Sequence, residues 1–132
     1  MTYTYHLEKL SDEPIMVGQV GPEFSVSAHS DELNQRILQW LESATENFFF
    51  ILDVTEAALG FDDIVLGASK GTRSATPVLR HANMRQLVVV SHSALVRLAA
   101  KGLSAPIFGK VNVKVCDTRD EALAHCRAEL TA

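Results

Sequence analysis

No apolar run in this sequence approaches the roughly 20 residues of a membrane-spanning helix, so no integral membrane segment is expected. Cysteine is scarce. Cys116 and Cys126 lie at no metal or redox spacing. Cys126 should be a small apolar helix residue and Cys116 a strand-end residue. The start, Met-Thr-Tyr-Thr-Tyr-His, offers neither a charged leader nor an apolar signal core. A reduced, cytoplasmic protein is the simplest expectation. The five histidines (His6, His29, His81, His92 and His125) form no i, i+4 pair and no His/Cys cluster, so no metal site is expected. A glycine-rich phosphate loop of either common kind is missing, and we expect no cofactor. Internal repeats and low-complexity tracts are also absent, which leaves residues 1–132 as a single domain with one core.

Charge of one sign is lacking too. The net charge of −4 conceals a split. Residues 1–63 hold twelve Asp/Glu against Lys9 and Arg36, a balance of −10. Residues 64–132 hold ten Lys/Arg against four acids, a balance of +6. The basic residues are scattered, so we read the halves as interleaved on one surface and expect no nucleic-acid partner.

What the chain does have is an unbroken apolar run, Phe48-Phe49-Phe50-Ile51-Leu52, closed by Asp53-Val54-Thr55. A strand with one wet face would alternate. This run predicts a central strand covered on both faces, as in a parallel sheet flanked by helices. Asp53 and Thr55 then lie at its C-terminal end, where ligands sit in open α/β sheets. A second buried strand is predicted at residues 86–90. Alternating segments at 2–10 and 111–115 read as edge strands, and residues 15–20 pair antiparallel with the first through a tight turn.

Helices are predicted over residues 31–41 with Ser30 as N-cap, 61–69 ended by Gly71, from Ser93 to Lys101 followed by Gly102, and from the capping box Thr118-Arg119-Asp120-Glu121 onward. Phe61, Ile64, Val65 and Ala68 are expected to share the inner face of the second helix, and Leu95, Leu98 and Ala99 that of the third. Residues 23–30 read as a polar loop. The fold class is therefore α/β, a mixed and mostly parallel sheet with an N-terminal antiparallel hairpin and about four helices.

Three features bear on function. Gly67-Ala68-Ser69-Lys70-Gly71 matches the Gly-x-Ser-x-Gly pattern of a nucleophile elbow, but Ser69 follows a helix rather than a strand, so no catalytic residues are expected. The strand ends carry Asp53/Thr55, Ser91/His92/Ser93 and Cys116/Asp117/Thr118. That edge is the usual ligand crevice, although helices need polar caps there anyway. Residues 72–84 form the longest irregular stretch. With Lys70, Arg73 and Arg80 beside Val78 and Leu79, they offer either a solvated loop or a basic rim over an apolar cleft.

The element order, the Phe48–Thr55 strand, the Phe61-Asp62-Asp63 helix start and the passage from Ala99-Ala100-Lys101-Gly102-Leu103 to Phe108-Gly109 resemble the SpoIIAA-like family. That bacterial group is related to STAS domains and to CRAL-TRIO-type lipid-binding domains, and the resemblance covers nearly the whole chain. It implies a STAS-like fold and a non-enzymatic regulatory or protein-interaction module. STAS anti-sigma antagonists place a phosphorylatable serine at the helix start after the central strand. Here that neighbourhood reads Gly60-Phe61-Asp62-Asp63, with no serine before Ser69. Asp62 and Asp63 would supply permanent charge in place of a reversible one. The alternative is a carrier or sensor of a small amphipathic or anionic ligand held between the residue 61–71 helix and the 72–84 loop. Asp53, Thr55, Asp62, Asp63, Lys70, Arg73 and Arg80 are the candidate ligand- or partner-binding residues. The edge strands and the Ile107-Phe108 pair predict a homodimer.

Overall fold

A computed structural model describes residues 3–73, 78–106 and 111–131. Five strands form one sheet in the order β1 (Tyr5–Lys9), β2 (Ile15–Val20), β3 (Phe48–Asp53), β4 (Met84–Val90) and β5 (Val113–Cys116). β1 and β2 are antiparallel, and every other neighbouring pair is parallel. The helices are α1 (Val26–Ser43), α2 (Phe61–Arg73), α3 (Ala94–Gly102) and α4 (Arg119–Thr131), with a 3₁₀ turn at Val78–Arg80. Each parallel crossover steps to the next strand in the same direction. Crossovers share one hand, so α1, α2 and α3 all land on one face. α4 follows the last strand and folds back over the other.

The central strand behaves as its composition requires. Phe48 and Phe50 point into the core beneath α1 and α3, with Met16, Leu87 and Val89. Phe49 and Ile51 point to the α4 side, with Ile15, Val88, Cys116 and Cys126. Gly18 on β2 makes room for the Phe50 ring, since a Cβ there would lie 3.1 Å from its edge carbons.

Several helix boundaries differ from expectation. α1 begins at Val26, so residues 26–30 are helical rather than a polar loop. Ser25 is the cap, accepting the Ala28 N–H at 3.4 Å, and the Ser25 N–H donates to His29 Nδ1 at 2.9 Å. Ser30 is buried inside the helix, its hydroxyl donating to the Val26 carbonyl, so its polarity costs little. α2 runs through Gly71 to Arg73; glycine permits a helix end without imposing one. The expected irregular stretch is shorter at both ends, because α2 runs to Arg73 and β4 starts at Met84, and the 3₁₀ turn lies within it. Residues 74–77 lie outside the described residues, as do Ile107 and Phe108.

α3 is turned relative to expectation. Leu95 and Leu98 face solvent, Leu98 at 71% exposure, while Val96, Ala100 and Leu103 face the core. Both sets have helical spacing, so periodicity alone could not choose between them. The alanines allow the closer approach to the sheet. Val65 on α2 is likewise exposed rather than inward. Leu52, at the end of β3, is only half-buried.

Candidate functional site

The face that carries three helices encloses a cavity of about 170 Å³. Its floor is Phe50, Leu52, Leu87 and Val89 of the sheet. Its walls are Leu33 and Ile37 of α1, Ile64 and Gly67 of α2, Val96 and Ala100 of α3, and Val78 and Leu79 of the 3₁₀ turn. The space exists because α2 packs loosely. None of its described side chains is fully buried, and small residues, Gly67 and Ala68, face inward. The cavity is not sealed, since Leu59, Ile64 and Val96 on its border are partly exposed. Its few polar contributors are Ser30, Asn34 and Asp63.

The candidate residues fall into separate groups. Asp53 is 6% exposed and Oδ1 accepts both the Thr55 N–H at 3.0 Å and the Thr55 hydroxyl at 2.7 Å. Its Oδ2 receives Arg119 Nη2 at 3.4 Å, and that same nitrogen also donates to Gln19 Oε1. Arg119 belongs to α4, so this cluster sits on the side of the sheet away from the cavity. Tyr3 stands nearby. Its phenol is held above its ordinary value by burial first and then by its hydrogen bond to Glu56.

Asp63 is on the other side. It caps α2 by accepting the Gly60 N–H at 3.0 Å and borders the cavity, while Asp62 beside it is exposed. Lys70 pairs with Asp31 of α1 at 3.0 Å, tying α2 to α1. Arg80 is exposed at the end of the 3₁₀ turn. Arg73 ends α2, and its side chain lies outside the description. The expected cleft between α2 and the following segment is thus present, with Val78 and Leu79 in its wall. Asp53 and Thr55 do not join Asp62 and Asp63.

Sequence reasoning missed Asn34, Ser30 and the whole α1 wall. The signal was the helical stripe Val26, Ser30, Leu33, Ile37, whose early part was read as loop. Ser69 lies within α2, away from any strand-to-helix turn. Among the described residues no group of three or more His, Cys, Asp or Glu is placed to hold a metal ion, and no helix is long and apolar enough to cross a membrane.

No protein-family model matches the chain, and no curated protein matches it by sequence. Two solved structures are similar in fold. One is a protein of the DUF3478 family with a SpoIIAA-like fold from Shewanella loihica PV-4, 11% identical over 93% of this chain and 92% of its own, with a TM-score of 0.57. The other is an anti-sigma factor antagonist from Mycobacterium paratuberculosis, 16% identical over 94% of this chain and 95% of its own, with a TM-score of 0.54. The chain therefore has a SpoIIAA-like fold, as the family resemblance implied.

Proposed function

We propose that this protein is a non-enzymatic regulatory module that works by binding another protein, of the anti-sigma-factor kind that the Mycobacterium neighbour is named for opposing. The observation that carries this reading is the apolar surface on α2 and α3. Val65, Leu66, Leu95 and Leu98 are exposed on two helices that border one cavity. Exposed apolar surface of this kind marks interaction sites. The helix start after β3 supports a switch-free variant of the module. It carries Asp62 and Asp63 rather than serine, and Asp63 is engaged in capping Gly60. Its charge is fixed.

The test is cross-linking in a native extract with the wild type, Leu98→Glu and Leu95→Glu, each checked for folding by circular dichroism. A partner held by the wild type and lost by both folded variants supports the reading. A partner held equally by all three places the interface elsewhere. The reading extends to a homodimer paired through the β1 edge; light scattering showing a monomer at high micromolar concentration would remove that part.

A second reading, a carrier or sensor of a small ligand, is favoured by one observation, the apolar cavity beneath α2. It would house the ligand within the same module, next to the helices that carry the partner surface.

A further inference from the structure

The cavity's volume and its sparse polar rim narrow what it could hold. An apolar cavity of about 150 Å³ lined by Leu, Ile and Phe stays dry and accepts benzene. This one is of similar size, about 170 Å³, and similarly lined. It suits an apolar body of one aromatic ring, not a long acyl chain.

The rim supplies the head-group chemistry. Asp63 uses Oδ2 to accept the Gly60 N–H, and Oδ1 carries no hydrogen bond among the described residues. The Ser30 hydroxyl donates its proton to the Val26 carbonyl, which leaves its oxygen only as an acceptor. The Asn34 side chain makes no hydrogen bond among the described residues and is half-buried. Among the described lining residues the one formal charge is therefore negative, and acceptors outnumber donors. Lys70, the nearest cation along α2, is occupied by Asp31 and does not line the space. Among the described lining residues an anionic head would meet a carboxylate and no cation.

We propose that the cavity is a binding site for a small aromatic or similarly compact amine, its apolar body over Phe50 and Val89 and its ammonium group at Asp63 Oδ1. This rests on the ligand reading above and reverses the anionic head group expected from the basic residues of the 72–84 segment.

Three probes with one ring and different heads test it: benzylamine, benzyl alcohol and benzoate. Methyl-detected NMR titrations would follow the Ile64, Val78 and Val89 signals in the wild type, Asp63→Asn and Gly67→Leu. Gly67 is suited to filling the space, because a Cβ there meets only Val26 Cγ1 at 3.9 Å, and leucine is the better helix former. In the wild type, benzylamine should bind at least roughly tenfold more tightly than benzoate. Asp63→Asn should bring the two within about threefold of each other, and Gly67→Leu should abolish cavity shifts with every probe. Benzoate binding as tightly as benzylamine, or a preference unchanged in Asp63→Asn, overturns the proposal while leaving a ligand cavity. No cavity shift with any probe overturns the ligand reading itself.

Discussion

Arg127 of α4 holds Glu13, in the turn between β1 and β2, through two parallel contacts: Nε to Oε2 at 2.9 Å and Nη2 to Oε1 at 3.0 Å. The pair ties the last helix to the first hairpin. Hydrogen bonding from the guanidinium holds the Glu13 carboxyl below its ordinary value, against an opposing effect of burial. A carboxyl depressed in the folded state adds stability above its unfolded pKa and loses it as pH falls through the folded value. Glu13 should therefore titrate at a lower pH in the wild type than in Arg127→Ala, by carboxyl-detected NMR. The wild type should also lose more stability than the variant on acidification. Equal midpoints in the two proteins would show that the contact does not form in solution.

Cys126 is fully buried on the inner face of α4, and burial raises its thiol to about 11. Cys116, also buried, is raised for the same reason. A raised thiol leaves stability intact below the ordinary value near 9 and erodes it as pH climbs toward about 11. Alkaline unfolding should thus steepen in that window and flatten in Cys126→Ala. At pH 8, thiol reagents should label the folded protein at least roughly 100-fold more slowly than the unfolded chain. Rapid labelling of both thiols without unfolding would contradict the burial described here.

Phe50 and Leu52 share a strand and a face but not a fate. Both line the cavity floor, but Phe50 is buried, with its ring against Gly18, whereas Leu52 is half-buried. Phe50→Ala should cost about 3–5 kcal/mol. Leu52→Ala enlarges a space already present and should cost only about 1–2 kcal/mol. Urea unfolding of the two variants decides between this picture and one in which both residues pack alike; equal losses would mean the cavity closes in solution.

The contrast between those residues shows where a sequence speaks and where it stops. An unbroken run such as Phe48–Leu52 can lie only where both faces are covered, so the central strand, its parallel neighbours and the hairpin were legible. Patterns were ambiguous where two helix faces were both apolar, as in α3, where the Leu95/Leu98 and Val96/Ala100/Leu103 sets have equal claim. They misled where a polar residue sat within an apolar stripe. Ser30 looked like a cap because its hydrogen bond to the Val26 carbonyl is invisible without the helix. The cavity could be glimpsed only from α2 and from Val78 and Leu79. Its other walls come from α1, α3 and three strands, and its size reflects how little of the space beneath α2 the small residues Gly67 and Ala68 fill. No local pattern records that unfilled space.

Asp53 separates a structural role from a functional one. Its Oδ1 takes two hydrogen bonds from Thr55, at 3.0 and 2.7 Å, fixing the chain as it leaves β3. Its Oδ2 meets Arg119 at 3.4 Å, a looser contact with a guanidinium that is 41% exposed. Water screens the second interaction far more than the first. In double-mutant cycles the Asp53/Arg119 coupling should be under about 1 kcal/mol. The Asp53/Thr55 coupling should exceed it, and Asp53→Ala alone should cost about 1–3 kcal/mol because the Thr55 N–H loses its acceptor. Asp53→Asn keeps an oxygen for Thr55 and should recover most of that loss. If Asn fails to recover it, or if the Arg119 coupling is the larger, the charge itself matters at this edge. Asp53 would then belong to a site for a cationic group and not to the turn that closes the central strand.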